Sequence, residues 1–132
     1  MFALTRFSAV SAVLACVLAA PAPVKRDARL SGQGTFFTPG LGACGKTSSS
    51  SDLIVAVSTD VFNGFPGAGA DPNANPICGK TITANFQGKS VTVEVVDECP
   101  GCAANDLDFS PAAFDQLADE SLGRIDITWS FD

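Results

Sequence analysis

Two features of the sequence could do chemistry: the carboxylates Asp97 and Asp108, and the thiols of Cys99-Pro100-Gly101-Cys102. A carboxyl group can protonate the leaving oxygen of a glycosidic bond when burial or a like-charged neighbour raises its pKa, and an inverting hydrolase adds a second carboxylate that activates water. Asp97 closes a strand-like run and Asp108 precedes a helix start, places where acids also serve as acceptors for backbone N–H groups. The Cys-Pro-Gly-Cys spacing invites a redox or zinc reading. A thioredoxin-like thiol, however, needs a helix N-terminus after a strand, and Pro100-Gly101 followed by Ala-Ala-Asn reads as a loop.

The chain has no His, which excludes His-based triads and His-ligated metals, and nothing in it forms a dinucleotide fingerprint, so neither metal nor cofactor is expected. Its 132 residues suit one domain, with 46% hydrophobic and 17% charged residues typical of a folded one. Eight Lys and Arg stand against 14 Asp and Glu, a net charge of −6 that repels a phosphate backbone; nucleic acid and anionic membranes are not expected partners.

Arg6 precedes the apolar run Phe7–Ala20, too short for a membrane span and ending in small residues: a secretory signal peptide over 1–20. Pro21-Ala-Pro-Val-Lys25-Arg26 then ends in a dibasic pair, so residues 21–26 read as a short propeptide and 27–132 as the mature domain. That domain keeps 5 basic and 14 acidic residues, net −9, and four cysteines, Cys44, Cys78, Cys99 and Cys102. An even count in a small secreted domain points to two disulfides, with three connectivities open.

The elements that must position these groups are mostly strands. Lys80–Phe86 and Ser90–Asp97 alternate apolar and polar residues around a Gln87-Gly88-Lys89 turn, and Arg124–Phe131 places Ile125, Ile127, Trp129 and Phe131 on one face. Gly34–Thr38 and Leu53–Val57 are further candidates. Ser110-Pro111 caps a helix expected to end near Asp119, and a shorter helical turn starts at Ser58 and carries Val61 and Phe62. Residues 64–76 read as an irregular loop and 48–51 as a mobile surface tip. Many short strands with two staples suggest a small closed barrel, whose closure leaves no exposed edge.

In order along the chain, Gly34-Thr-Phe-Phe37, Gly42-Ala-Cys-Gly45, Ile77-Cys-Gly-Lys80, Val95-Val-Asp-Glu-Cys-Pro100 and Leu107-Asp-Phe-Ser-Pro-Ala-Ala-Phe114 resemble the double-psi β-barrel superfamily of barwin, expansin and rare lipoprotein A-like proteins. Within it they are most similar to small secreted fungal proteins described as riboflavin-aldehyde-forming enzyme-like. The resemblance covers nearly all of residues 31–132. It implies a mainly β fold, a six-stranded double-psi barrel with one or two short helices, stapled by Cys44–Cys78 and Cys99–Cys102, with a groove that binds glycans in several relatives. Asp97 matches the acid of lytic transglycosylases. Asp108 matches the Asp of the expansin His-Phe-Asp motif and the general acid of related cellulases.

Departures from these patterns point toward binding without cleavage. Leu107 replaces the expansin His, and Gly34-Thr35 stands where the cellulases carry their other Asp. The candidate catalytic acids are Asp97 and Asp108, with Asp97 expected to matter more for any activity and Asp108 to order its loop by accepting backbone amides. Thr35, Phe36, Phe37, Glu98, Asn105 and Asp106 are candidate ligand-binding residues, with at most one of the two adjacent rings free because neighbouring strand residues face opposite sides. Trp129 is assigned to the core, and Phe62 and Phe65 to a barrel end or binding site. The expected protein is a secreted monomer, extracellular or wall-bound. Its expected partner is a neutral or cationic polysaccharide such as chitin, chitosan or β-glucan, or a wall-associated protein. The rivals are a lytic enzyme using Asp97 and Asp108, and a protease inhibitor or effector acting through loops such as 62–77.

Overall fold

The computed structural model describes residues 28–132; the expected signal peptide and propeptide lie outside the described residues. Six strands, β1 (Leu30–Phe36), β2 (Ile54–Ser58), β3 (Thr81–Phe86), β4 (Lys89–Cys99), β5 (Leu107–Phe109) and β6 (Ile125–Phe131), close into a barrel in the order β1-β5-β2-β4-β3-β6. The pairs β1/β5 and β2/β4 are parallel and the other four antiparallel, so every strand has two neighbours and closure leaves no edge open to another chain. Two short helices, α1 (Thr59–Gly64) and α2 (Pro111–Asp115), pack beside the strands. This is the expected six-stranded, mainly β double-psi barrel.

Alternation builds the interior. Val55 and Val57, Ile82 and Ala84, Val91, Val93 and Val95, Leu107 and Phe109, and Ile125, Ile127 and Trp129 point inward and are buried. Phe62, Ile77, Phe114 and Leu117 join the same cluster from the connecting segments. The Phe65 ring packs tilted against Phe131, centroids 5.6 Å apart, and Phe131 meets Trp129 edge-on at 5.5 Å. Disulfides join Cys44 to Cys78 and Cys99 to Cys102.

Four details differ from the sequence reading, each for a local reason. The β3–β4 turn is tighter than Gln87–Lys89: Lys89 already pairs with Phe86, and Gln87 (φ 46°) and Gly88 (φ 81°) form the two-residue left-handed turn that suits strand twist. Helix α2 stops at Asp115, because the Gln116 and Leu117 N–H groups bond three residues back, to Ala113 and Phe114, and the chain then carries Leu117 and Ala118 into the core. Residues 48–51 are not a simple exposed tip: Ser48 is buried and its N–H donates to the Gly40 carbonyl, while the Ser49 N–H donates to Asp52. The 64–76 loop contains a 3-10 turn at Pro72–Ala74 and is pinned by buried Asn75, whose amide donates to the Phe62 carbonyl and accepts from the Ile77 N–H.

Candidate functional site

Strand register brings the two acids together. Thr35 lies opposite Asp108 across β1/β5, Asp108 opposite Ala56 across β5/β2, and Ala56 opposite Asp97 across β2/β4. Paired residues share a face, and Leu107, Phe109, Val55 and Val57 all face inward, so the row Thr35–Asp108–Ala56–Asp97 crosses the outward side of four adjacent strands, with Ala56 itself buried and the other three partly exposed. Two strand spacings separate the Cα atoms of the acids, about 10 Å.

Asp97 reaches this face only through a bulge. In β4 the inward positions are Val91, Val93 and Val95, and strict alternation would send Asp97 into the core as well. The register with β2 slips between Val55 and Ala56, leaving Val96 as the extra residue and turning Asp97 outward. The Val95-Val96 doublet is the trace of this bulge in the sequence.

The polar partners of the acids are distributed the opposite way from the expectation. It is Asp97 that accepts backbone amides: its Oδ1 takes the N–H of Ala43 and that of Glu98, both at 2.8 Å. The loop supplying Ala43 lies directly on β4, where the Cys44 N–H donates to the Val96 carbonyl at 3.1 Å and Gly42 has no room for a Cβ against that carbonyl. Asp108 instead accepts the Thr35 hydroxyl at 2.9 Å. Its pKa is raised above the ordinary carboxylate value, chiefly by partial burial; the Thr35 bond pulls it back, the Asp97 charge pushes it up and Arg124 pulls it down.

The chemistry available is therefore that of one half-buried acid with elevated proton affinity, a second carboxylate held by amides nearby, and a hydroxyl between strands. Among the described residues no three His, Cys, Asp or Glu side chains gather closely enough to hold a metal ion, and Cys44, Cys78, Cys99 and Cys102 are all in disulfides.

Of the other candidate ligand residues, only some belong here. The Phe37 N–H donates to the Phe109 carbonyl at 3.0 Å, continuing the β1/β5 ladder, so half-buried Phe37 falls on the outward side with Thr35. Phe36 does not: it points inward, its ring 4.9 Å from Phe114 and packed on the core, as alternation demands of one of two adjacent residues. Glu98 stands opposite inward-facing Val57 and points away from the Asp97 face. Asp106 is occupied by structure, accepting the N–H of Gln33 (2.9 Å) and of Ala103 (3.2 Å) with Arg124 3.8 Å away. The Asn105 carbonyl accepts the Trp129 indole at 2.8 Å and lies over Gly32, which places Asn105 at the barrel end, not on the Asp108 row. Arg124, at the margin of this row, carried no signal in the sequence beyond its charge.

Asp97→Ala leaves the Ala43 and Glu98 amides without their acceptor and is expected to cost about 2 kcal/mol in a urea melt. A change below about 0.5 kcal/mol would show that water replaces the carboxylate at no cost.

A family model described as lytic transglycolase matches residues 31–129. The papain inhibitor of Streptomyces mobaraensis is 33% identical over 140 residues, covering 96% of this chain and 92% of that protein. The solved Streptomyces papain inhibitor superposes with a TM-score of 0.72 at 32% identity, covering 79% of this chain and 94% of the other. A mutant Clavibacter michiganensis expansin solved in complex with cellohexaose superposes with a TM-score of 0.66 at 25% identity, covering 80% of this chain and 50% of the expansin.

Proposed function

The chain belongs to the lytic transglycolase family of double-psi β-barrels, and from that premise we propose that it is a secreted protein that binds a polysaccharide chain across the Thr35–Asp108–Asp97 face without cutting it. The observation that carries the reading is that row itself: a hydroxyl and two carboxylates, each partly exposed, set across four adjacent strands, with the half-buried Phe37 ring on the same side for stacking on a sugar. A cellohexaose complex of a related expansin supports the ligand class. Binding is favoured over cleavage because the second carboxylate is tied by two amides and Thr35, not an acid, stands across from Asp108. The strong acidity of the domain favours neutral or cationic chains, β-glucan, chitin or chitosan, over pectate. The finer kinship with riboflavin-aldehyde-forming enzyme-like proteins rests on motif order alone.

Insoluble-polysaccharide pulldown with product analysis by mass spectrometry tests this. The expected result is retention on β-glucan or chitin with no new chain ends, reduced at least fivefold in Asp108→Asn and in Phe37→Ala. New ends from the wild type that vanish in Asp108→Asn would make the protein a lytic enzyme. Asp108 also sets a pH dependence. Its folded pKa lies above the unfolded value, so its contribution to stability is full below the unfolded pKa and is lost as pH rises through the folded one. Asp108→Asn is therefore expected to melt at or above the wild-type temperature at neutral pH and to lose that advantage in acid, read from melts across pH 2–8.

A second reading has its own support: the likeness to the papain inhibitor spans nearly the whole of both chains. On it, the protein acts on a cysteine protease through loops such as 62–77, which Asn75 and the Cys44–Cys78 bridge hold in place. Inhibition of papain at stoichiometric concentration, unaffected by Asp108→Asn, would establish it in place of the first.

A further inference from the structure

We infer that a second groove, on the outer face of β1, β6 and β3, is a glycan-binding subsite that a long chain occupies together with the Asp108 row. The groove has a volume of about 950 Å³, the size range of small-molecule sites, and lies between the Gln87-Gly88 turn and Leu122. Its floor follows from register. Ser31 pairs with Thr128 across β1/β6 and Thr128 with Asn85 across β6/β3, so a hydroxyl, a hydroxyl and an amide stand abreast on one face.

Beside them Gln33 is fixed at both ends: its amide nitrogen donates to Asp126 at 3.2 Å and its oxygen accepts from Arg124 at 2.9 Å. Arg124 and Asp126 bring opposite charges, so the lining carries no net charge on a domain that is otherwise strongly acidic. A lining with no net charge, in which the Ser31 and Thr128 hydroxyls and the Gln33 and Asn85 amides stand among apolar surface, suits a neutral polyhydroxylated ligand.

The groove is continuous with the first site. Ser31, Gln33 and Thr35 are alternate residues of β1 on one face, and Arg124, which bonds Gln33, also acts electrostatically on Asp108. Asn85 and Asp108 lie three strand spacings apart across the sheet and four residues apart along it, about 20 Å over the surface. A short oligosaccharide cannot fill both regions and a longer one can, so the second contact becomes intramolecular and affinity rises with chain length. This inference rests on the polysaccharide reading above and extends it to a face that reading does not need.

The test measures cellotriose, cellohexaose and the corresponding N-acetylchitooligosaccharides by titration calorimetry, with amide chemical-shift mapping on the wild type. The expected result is that one hexasaccharide binds at least tenfold tighter than its trisaccharide, and that the ratio falls below threefold in Asn85→Ala/Thr128→Val, two outward changes that leave the core untouched. In the mapping, Ser31, Asn85 and Thr128 shift with the hexasaccharide. Binding of both lengths with equal affinity, an unchanged ratio in the double variant, or shifts confined to Thr35, Asp97 and Asp108 overturns the groove and leaves the first site standing. No binding of any oligosaccharide overturns both.

Discussion

Replacing Cys44 and Cys78 together by Ser is expected to lower the unfolding free energy by about 4 kcal/mol and the melting temperature by about 15 °C or more. The bridge spans a sequence separation of 34 residues. In the unfolded chain it removes the freedom of a loop of that size, which the chain-entropy estimate converts to the stated figure. In the folded chain it fastens the Gly42–Lys46 turn, which covers Asp97, to the segment entering β3, and both cysteines pack against the core. The Cys99–Cys102 bridge closes only a three-residue separation, and its double Ser variant is expected to lose about 2 kcal/mol. Guanidinium melts of the two variants decide the matter. Equal losses, or a larger loss from Cys99 and Cys102, would show that native-state packing and not chain entropy governs the staples.

The difference between the bridges also marks how far the sequence could be read. The β3–β4 hairpin and β6 were legible because Ile82, Ala84, Val91, Val93, Ile125, Ile127 and Trp129 alternate with polar residues, and a strand with one face buried writes that period into its composition. β5 has three residues and cannot display a period, so Leu107–Phe109 was visible only as part of a motif. The first half of β1 was hidden for a different reason. Its inward positions 32 and 34 are glycines, kept small because Asn105 lies on one and the Phe109 ring on the other. The two acids can be read in the sequence, but their partners cannot. Whether Asp97 or Asp108 meets backbone amides depends on a bulge at Val96 and on a loop 54 residues away in sequence, and neither leaves a periodic signal.

Gly32 is the point where that hidden packing can be tested most sharply, and Gly32→Ala is expected to cost about 3 kcal/mol or more. A Cβ on Gly32 would lie 2.0 Å from the Asn105 carbonyl oxygen and 2.5 Å from its carbon, contacts with backbone that no side-chain rotation relieves. The 103–106 loop must move outward, and three long-range bonds move with it: Trp129 indole to the Asn105 carbonyl, Ser58 hydroxyl to the Ala104 carbonyl at 2.6 Å, and Gln33 N–H to Asp106. Each such bond is worth about 1 kcal/mol, and the donors left behind are poorly placed to find water. Trp129 is the chain's one tryptophan, so its emission reports the loss of the indole bond directly. The loop runs straight into β5, so the same substitution is expected to shift Asp108 relative to Thr35 and to weaken glycan retention together with stability. Gly40→Ala is the control, since a Cβ there meets nothing within 4 Å, and it is expected to stay within about 0.5 kcal/mol of the wild type. If Gly32→Ala matches that control in melting, in tryptophan emission and in glycan retention, the loop is not braced against β1, and Asp108 owes its position to strand pairing with β1 and β2 alone.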